Sequence, residues 1–224
     1  MLSDLFQRPL SRWLGRPGDG KSKAPVLVKQ LGERDRRRIL RHFLALDESD
    51  RLLRFGNVLS DELIAAYVAK INFSNDTVYG VVNRVFKLVA VGHLAFAPKE
   101  KLAPGKLSTE KERVAEFGVS VSRSARGLGI GSKMFERAAI HCRNSDVDAL
   151  YIHCLSSNQV MMHIAKKAGM TIERDRGEAD AYLRLPPPNP ASMMQEAIEE
   201  QVATIDYTFK ANRRAASKWF ALSR

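Results

Sequence analysis

A mixed α/β domain is written into the apolar patterning of this chain. Short runs with strand character alternate with segments whose apolar residues recur every three to four positions. Near the middle, one valine-bounded run leads through a glycine-spaced turn into a helix. A proline cluster at 186–190 then cuts off a long amphipathic helix.

Taken in order, residues 1–24 carry Pro9, Gly15, Pro17, Gly18 and Gly20 among basic side chains and read as a mobile basic leader. PVLVKQL from Pro25 is a short strand. Ile39, Leu40, Phe43, Leu44 and Leu46 give 33–46 a helical rhythm, and RLLRF at 51–55 is a further short apolar run. Ser60 followed by Asp61 and Glu62 is an N-cap with an acidic first turn, opening a helix to about Ile71. Two strands, 77–83 and 85–97, meet at Asn83-Arg84, short enough for a hairpin. Residues 98–112 are polar, with two prolines and a glycine, and read as a loop. A strand over 113–121, a turn over 122–131, a helix over 132–142 and a buried strand over 149–155 follow. A helix over 158–168 closes at Gly169, a natural left-handed terminator, and 170–185 ends the pattern as a strand pair. The expected organisation is a leader (1–24), a main α/β domain (25–185), and a Pro-rich linker with a C-terminal helix (186–224). In that helix Met194, Ile198, Val202, Ile205, Phe209, Ala216, Trp219 and Phe220 form a stripe that needs a surface: the domain itself, a second copy or a partner.

Of the 224 residues, 45% are apolar and 27% charged, which argues against disorder and fibrous architecture. No uninterrupted apolar stretch is long enough to span a bilayer, the N-terminus lacks a secretory h-region, and no membrane partner is expected. Two cysteines, Cys142 and Cys154, are too few for a disulfide scaffold, so a cytoplasmic location is the default. Lys and Arg number 36 against 25 Asp and Glu, a net charge of +11, which favours an anionic partner. Nucleic acid is disfavoured, because Arg36–Arg38 and Arg213-Arg214 lack interleaved aromatics. His93, His141, His153 and His163 are too scattered for a metal site, and no metal is expected. His153 and Cys154 are candidates to line an acceptor pocket, although a core thiol is the plainer reading of Cys154.

The chemistry concentrates in V119-S-V-S-R-S-A-R-G-L-G-I-G-S132. A strand that passes through glycines into a helix leaves main-chain N–H groups unpaired at the positive end of the helix dipole. Gly127, Gly129 and Gly131 let the backbone approach a bulky anion, and Arg126 adds a permanent charge. A phosphate or pyrophosphate cradle is predicted. The order Gly131-Ser132-Lys133 is wrong for a P-loop, and the third glycine of a dinucleotide fingerprint is missing. The pattern Arg/Gln-x-x-Gly-x-Gly/Ala is met by Arg126, Gly129 and Gly131 after a Val-x-Val strand end.

Here the sequence resembles the GNAT family of acetyl-CoA-dependent N-acetyltransferases, over most of 25–185. The resemblance is strengthened by N158-Q-V-M-M-H-I-A-K-K-A-G-M170, which is similar to the family's second motif. Asn158 opens the helix and Gly169 closes it. The helix pattern and RLLRFG are most similar to the GNAT domains of bacterial protein-lysine acetyltransferases. The resemblance implies a GNAT fold, with a central mixed, mostly antiparallel sheet flanked by helices. It also implies acetyl-CoA as co-substrate and a primary amine, on a protein lysine or a small molecule, as acceptor. Main-chain groups of Val119 and Val121 would hold the pantetheine and carbonyl, the amides of Gly127 to Ser132 the pyrophosphate, and Asn158 would lie beside the pantetheine arm.

Glu116 is the expected base. Period-two alternation puts it on one face with Gly118 and Ser120, opposite Phe117, Val119 and Val121. In a half-buried cleft its carboxylate would take a proton from an ammonium, directly or through water. Two positions depart from the family. Ala165 stands where a tyrosine often protonates the leaving thiolate, which leaves water, Ser156 or Ser157 for that role, and Arg123 replaces a common proline. Acetyl-CoA and an amine are the expected partners, with a protein substrate and self-association through the C-terminal helix left open. The alternative is a non-catalytic acyl-CoA-binding or regulatory module.

Overall fold

The computed structural model describes residues 25–96 and 113–222. The leader at 1–24 and the loop at 98–112, with Lys99, Lys101 and Lys106, lie outside the described residues. In chain order the elements are β1 (Lys29–Leu31), α1 (Arg36–Leu44), α2 (Glu48–Phe55), α3 (Asp61–Lys70), β2 (Thr77–Val82), β3 (Leu88–Phe96), β4 (Val114–Val121), α4 (Ile130–Asn144), β5 (Ala149–Leu155), α5 (Gln159–Ala168), β6 (Thr171–Asp175), β7 (Glu178–Arg184) and α6 (Pro190–Leu222).

The seven strands form one sheet in the order β1-β2-β3-β4-β5-β7-β6. Every neighbouring pair is antiparallel except β4 and β5, whose connection passes through α4, as a parallel crossover requires. Each face carries its own core. Phe117, Met134, Phe135, Leu150 and Ile152 pack beneath α4 and α5. Ile39, Phe43, Ile64, Val68, Val78 and Val91 pack beneath α1 and α3. Covered on both faces, β2 is buried along its whole length, which explains its run of apolar residues rather than an alternation.

Several local expectations are corrected. RLLRF belongs to a helix, α2. Asp47 caps it by accepting from the Asp50 amide at 2.9 Å, and Gly56 ends it in the left-handed conformation at φ 75°. The β2–β3 connection is five residues, Asn83–Lys87, not two. Asn83 Oδ1 accepts the amides of Val85 and Lys87, and Phe86 takes φ 58° to bury its ring against Tyr207 of α6. α4 starts two residues early, because Gly129, at φ 76°, serves as its N-cap.

The largest difference concerns α6. Its polar face, not its apolar stripe, meets the domain. Ala203 is buried, and Arg137 of α4, only 1% exposed, lies 3.2 Å from Glu196 and 3.3 Å from Glu200. Lys29 pairs with Glu200, Lys133 with Glu199 at 3.0 Å, and His141 with Glu196 at 2.7 Å. Burial opposes ionisation of Glu196, but hydrogen bonds from His141 and Asn144 and the Arg137 charge overcome it and hold the carboxyl down at about 2. Further along, Tyr207 bonds to Asp35 and Arg38, and Arg214 donates to the Val85 carbonyl at 2.9 Å. The predicted stripe faces outward: Ile205 is 68% exposed and Phe209 67%.

Candidate functional site

The β4–β5 ladder is short. It pairs Val114 with Ala149, Ala115 with Leu150 and Glu116 with Tyr151, then stops while both strands continue. Beyond Glu116 the strands diverge. A cavity of ≈ 160 Å³ opens there, walled by Phe117–Val119 of β4, His153–Leu155 of β5, Leu53–Gly56 at the end of α2, and Met161 of α5.

Main-chain direction in this gap follows from the ladder on the far side. Ser122 N donates to Val89 O at 2.8 Å, and the register runs unbroken from Ala90↔Val121 to Phe96↔Ala115. Antiparallel ladders alternate, so Ser120, Gly118 and Glu116 turn their main-chain groups to β3, whereas Val121, Val119 and Phe117 turn theirs toward β5. The Val121 carbonyl accepts from Arg126 Nε at 3.1 Å, and the groups of Val119 point into the gap. Strand geometry thus turns both residues toward the gap, with the Val121 carbonyl engaged by Arg126.

At the end of β4 the chain makes a 3₁₀ turn, Arg123–Ala125, before the glycines. Gly127 and Gly129 both adopt positive φ, and a Cβ at either would meet nothing within 4 Å, so the mouth of the turn is open. The first helical bond runs from the Lys133 amide to Gly129 O, which leaves the amides of Ile130, Gly131 and Ser132 free at the start of α4. Gly131 has a packing reason as well, since a Cβ there would lie 3.1 Å from Ile164 Cδ1. The arrangement fits a diphosphate: converging amides, no acidic residue in the first turn of α4, and room for the backbone to approach.

Arg126 is less free than its place in the motif suggests. Its guanidinium pairs with Asp50 of α2 at 2.5 Å, and Arg123 pairs with Asp47 at 2.5 Å. The two arginines fasten the turn to α2. Asn158 is 93% buried, accepts from the Met161 amide at 3.1 Å and donates to the Leu53 carbonyl at 3.2 Å, so it caps α5 and ties it to α2 across the gap.

Glu116 shares its face with Gly118 and Ser120, as alternation requires, but stands exposed at the rim and not in a half-buried cleft. The position of Ala165 is buried in the core beneath α5, and neither Ser156 nor Ser157 lines the cavity. His153 and Cys154 do line it. His153 Nδ1 lies 2.7 Å from Asp180 Oδ1, and burial raises the Cys154 thiol, which keeps it protonated and a poor nucleophile.

Sequence reading missed a cluster on the same face. Arg54 of α2 lies over Gly118 and donates Nη2 to Tyr67 Oη at 2.9 Å, and Tyr67 Oη lies 2.7 Å from His93 Nδ1. Burial, and then the Arg54 charge, push His93 below its ordinary value. A neutral His93 accepts from Tyr67 at Nδ1 and carries its proton on Nε2, which faces Asp76 Oδ2 at 3.2 Å. These residues come from α2, α3, β3 and the turn before β2, and no sequence spacing links them.

The sequence model of the "Acetyltransferase (GNAT) family" matches residues 44–170. No curated protein matches the chain significantly. Among solved structures the chain is similar to the GNAT domain of S. lividans PAT, with a TM-score of 0.56 and 17% identity, covering 70% of this chain and 89% of that one. It is also similar to spermidine N-acetyltransferase from Vibrio cholerae in complex with CoA and spermine, with a TM-score of 0.53 and 16% identity over 71% and 94% of the two chains. A third, ribosomal-protein-alanine N-acetyltransferase from Brucella melitensis, gives a TM-score of 0.51 and 15% identity over 71% and 100%. At these identities the likeness is one of fold.

Proposed function

The chain belongs to the acetyltransferase (GNAT) family, and on that premise we propose that it transfers an acetyl group from acetyl-CoA to a primary amine by direct attack, with Glu116 as the base. One observation carries the reading. Main-chain groups of Phe117 and Val119 turn toward the gap between β4 and β5, and the amides of Ile130, Gly131 and Ser132 stand free at the start of α4, the helix that follows β4. A thioester on an extended arm with a diphosphate at its far end supplies partners for both sets of groups.

The chemistry assigns work to the remaining groups. An alkylamine with a pKa near roughly 10.4 is unprotonated about once in a thousand at neutral pH. Glu116, exposed on the acceptor face, draws in the ammonium and takes its proton directly or through water. The amine nitrogen then bonds to the thioester carbonyl carbon, the C–S bond breaks, and coenzyme A leaves as thiolate, with water as the proton source. The thiol of Cys154 is held protonated, which favours direct transfer over an acetyl-cysteine intermediate.

Thiol release from acetyl-CoA, measured against a panel of amines and lysine-bearing proteins, tests the proposal. Glu116→Gln should lower kcat about a hundredfold or more while leaving acetyl-CoA affinity within about twofold. Turnover by Glu116→Gln at the wild-type rate removes Glu116 from this role. Acetyl-CoA binding with no acceptor turned over favours the non-catalytic binding module.

A further inference from the structure

Resting on the acetyltransferase reading, we infer that the acceptor is a small amino-carboxylate, its carboxylate taken by Arg54 and its ammonium by Glu116. The guanidinium of Arg54 lies among Phe43, Phe55 and Tyr67, with its carbon 5.7, 5.0 and 5.7 Å from the three ring centres. Its Nη2 is spent on Tyr67, and its Nε is buried with no acceptor among the described residues. No carboxylate of the described residues pairs with it. Three nearby acids are engaged elsewhere: Asp47 with Arg123, Asp50 with Arg126 and Asp61 with Arg51.

A half-buried guanidinium beside a cavity, with its Nε shut off from water and no counter-ion among the described residues, gains from an anion that supplies the charge. Arg54 lines the cavity, and its Nη1 has no acceptor among the described residues. The fold also makes room for it. A Cβ at Gly118 would lie 2.7 Å from both Cζ and Nη1, so glycine at this strand position lets the guanidinium rest against β4. The Tyr67–His93 hydrogen bond fixes its direction.

Glu116 stands on the same face of β4, two residues before Gly118, and also lines the cavity. A positive and a negative side chain, not paired with one another, thus flank one opening next to the main chain of Val119. A zwitterion with both charges on a short frame matches that arrangement. A polyamine, or a lysine within a basic segment, would place a second cation against Arg54.

The test compares amino acids with their carboxamides: glycine, alanine, glutamate, lysine and 4-aminobutyrate, each beside its amide, with spermidine and cadaverine as cationic contrasts. Amidation of an α-amino acid lowers the basicity of its amine, so a preference for the acid cannot come from easier deprotonation. Wild-type kcat/KM should favour at least one acid over its amide by about ten- to a hundredfold, the effect of one charge-assisted hydrogen bond. Arg54→Gln should bring that ratio close to one, and Arg54→Lys should restore part of it. Preference for amides or polyamines, or a ratio that Arg54→Gln does not move, overturns the inference and leaves the acetyltransferase reading intact. Titration of wild-type protein with the N-acetyl amino acids and their amides reads the same preference without turnover or a variant. Equal affinity for the two overturns the inference even if no amine reacts. Absence of turnover together with carboxylate-selective binding counts against the acetyltransferase reading alone.

Discussion

The side-chain amide of Asn158 donates to the carbonyl of Leu53 across 3.2 Å, while its oxygen accepts the Met161 amide at 3.1 Å. One residue thus caps α5 and holds it to α2 over the open end of the sheet. Asn158→Ala should cost about 1–2 kcal/mol in urea denaturation through the cap alone. Asn158→Asp keeps the acceptor and loses the donor, so it should retain most of that stability yet weaken acetyl-CoA binding. If the two variants lose stability equally, the tether to Leu53 is doing more than the cap.

Gly129 separates conformational strain from ligand access. A non-glycine residue at φ 76° costs roughly 1–2 kcal/mol, but its Cβ would touch nothing in the protein. Gly129→Ala should therefore fold, be slightly destabilised, and bind acetyl-CoA about tenfold or more weakly, because the methyl stands where the diphosphate approaches. Gly177→Ala, at φ 94° in the β6–β7 turn, carries similar strain away from the cradle and is the control. Calorimetry on the pair checks the difference, and equal affinities would place the diphosphate elsewhere.

His42 gives the fold an acid-sensitive point. It is buried, its Nε2 lies 2.8 Å from Ser120 Oγ, and burial lowers its pKa to about 4. The unfolded chain, with an ordinary histidine near 6.5, binds more protons between those values, so its population is favoured as pH falls. About 3 kcal/mol of stability, complete above pH 6.5, should drain away between pH 6.5 and 4. Urea midpoints across that range, compared for wild type and His42→Gln, should show a shallower slope in the variant. Parallel slopes would assign the acid sensitivity to other groups.

Arg137 is the counter-charge on which the first half of α6 rests. With Arg137→Met, Glu196 and Glu200 keep their half-buried positions and lose the cation between them, a loss of about 3–5 kcal/mol. Protease nicking within α6 should quicken in step. A change under about 1 kcal/mol in denaturant melts would mean that Lys29, Lys133 and His141 suffice.

Local chemistry was the legible part of this protein. Ser60, Asn158 and Gly169 announce helix ends because caps act over three or four residues, and 119–132 announces a strand, a glycine turn and a helix start with free amides because those amides belong to consecutive positions. The helix of RLLRF was hidden by brevity, since five residues show no period, although Asp47 and Gly56 frame it. Amphipathicity marks the stripe of α6 but not the face that packs. That choice fell to Arg137, Lys29 and Lys133, from distant elements, which fit the acidic side of the helix. Arg54, Tyr67 and His93 meet only after two helices close over the sheet, and the exposure of Glu116 depends on the same closure.

Main-chain pairing joins the two halves of the seven-stranded sheet at three positions only, from Val114↔Ala149 to Glu116↔Tyr151. In the proposed reading, a long co-substrate along the open edge of β4 would act as a splint across that join. The loaded protein should be stiffer than the empty one, and the relative tilt of the halves becomes a quantity that binding sets.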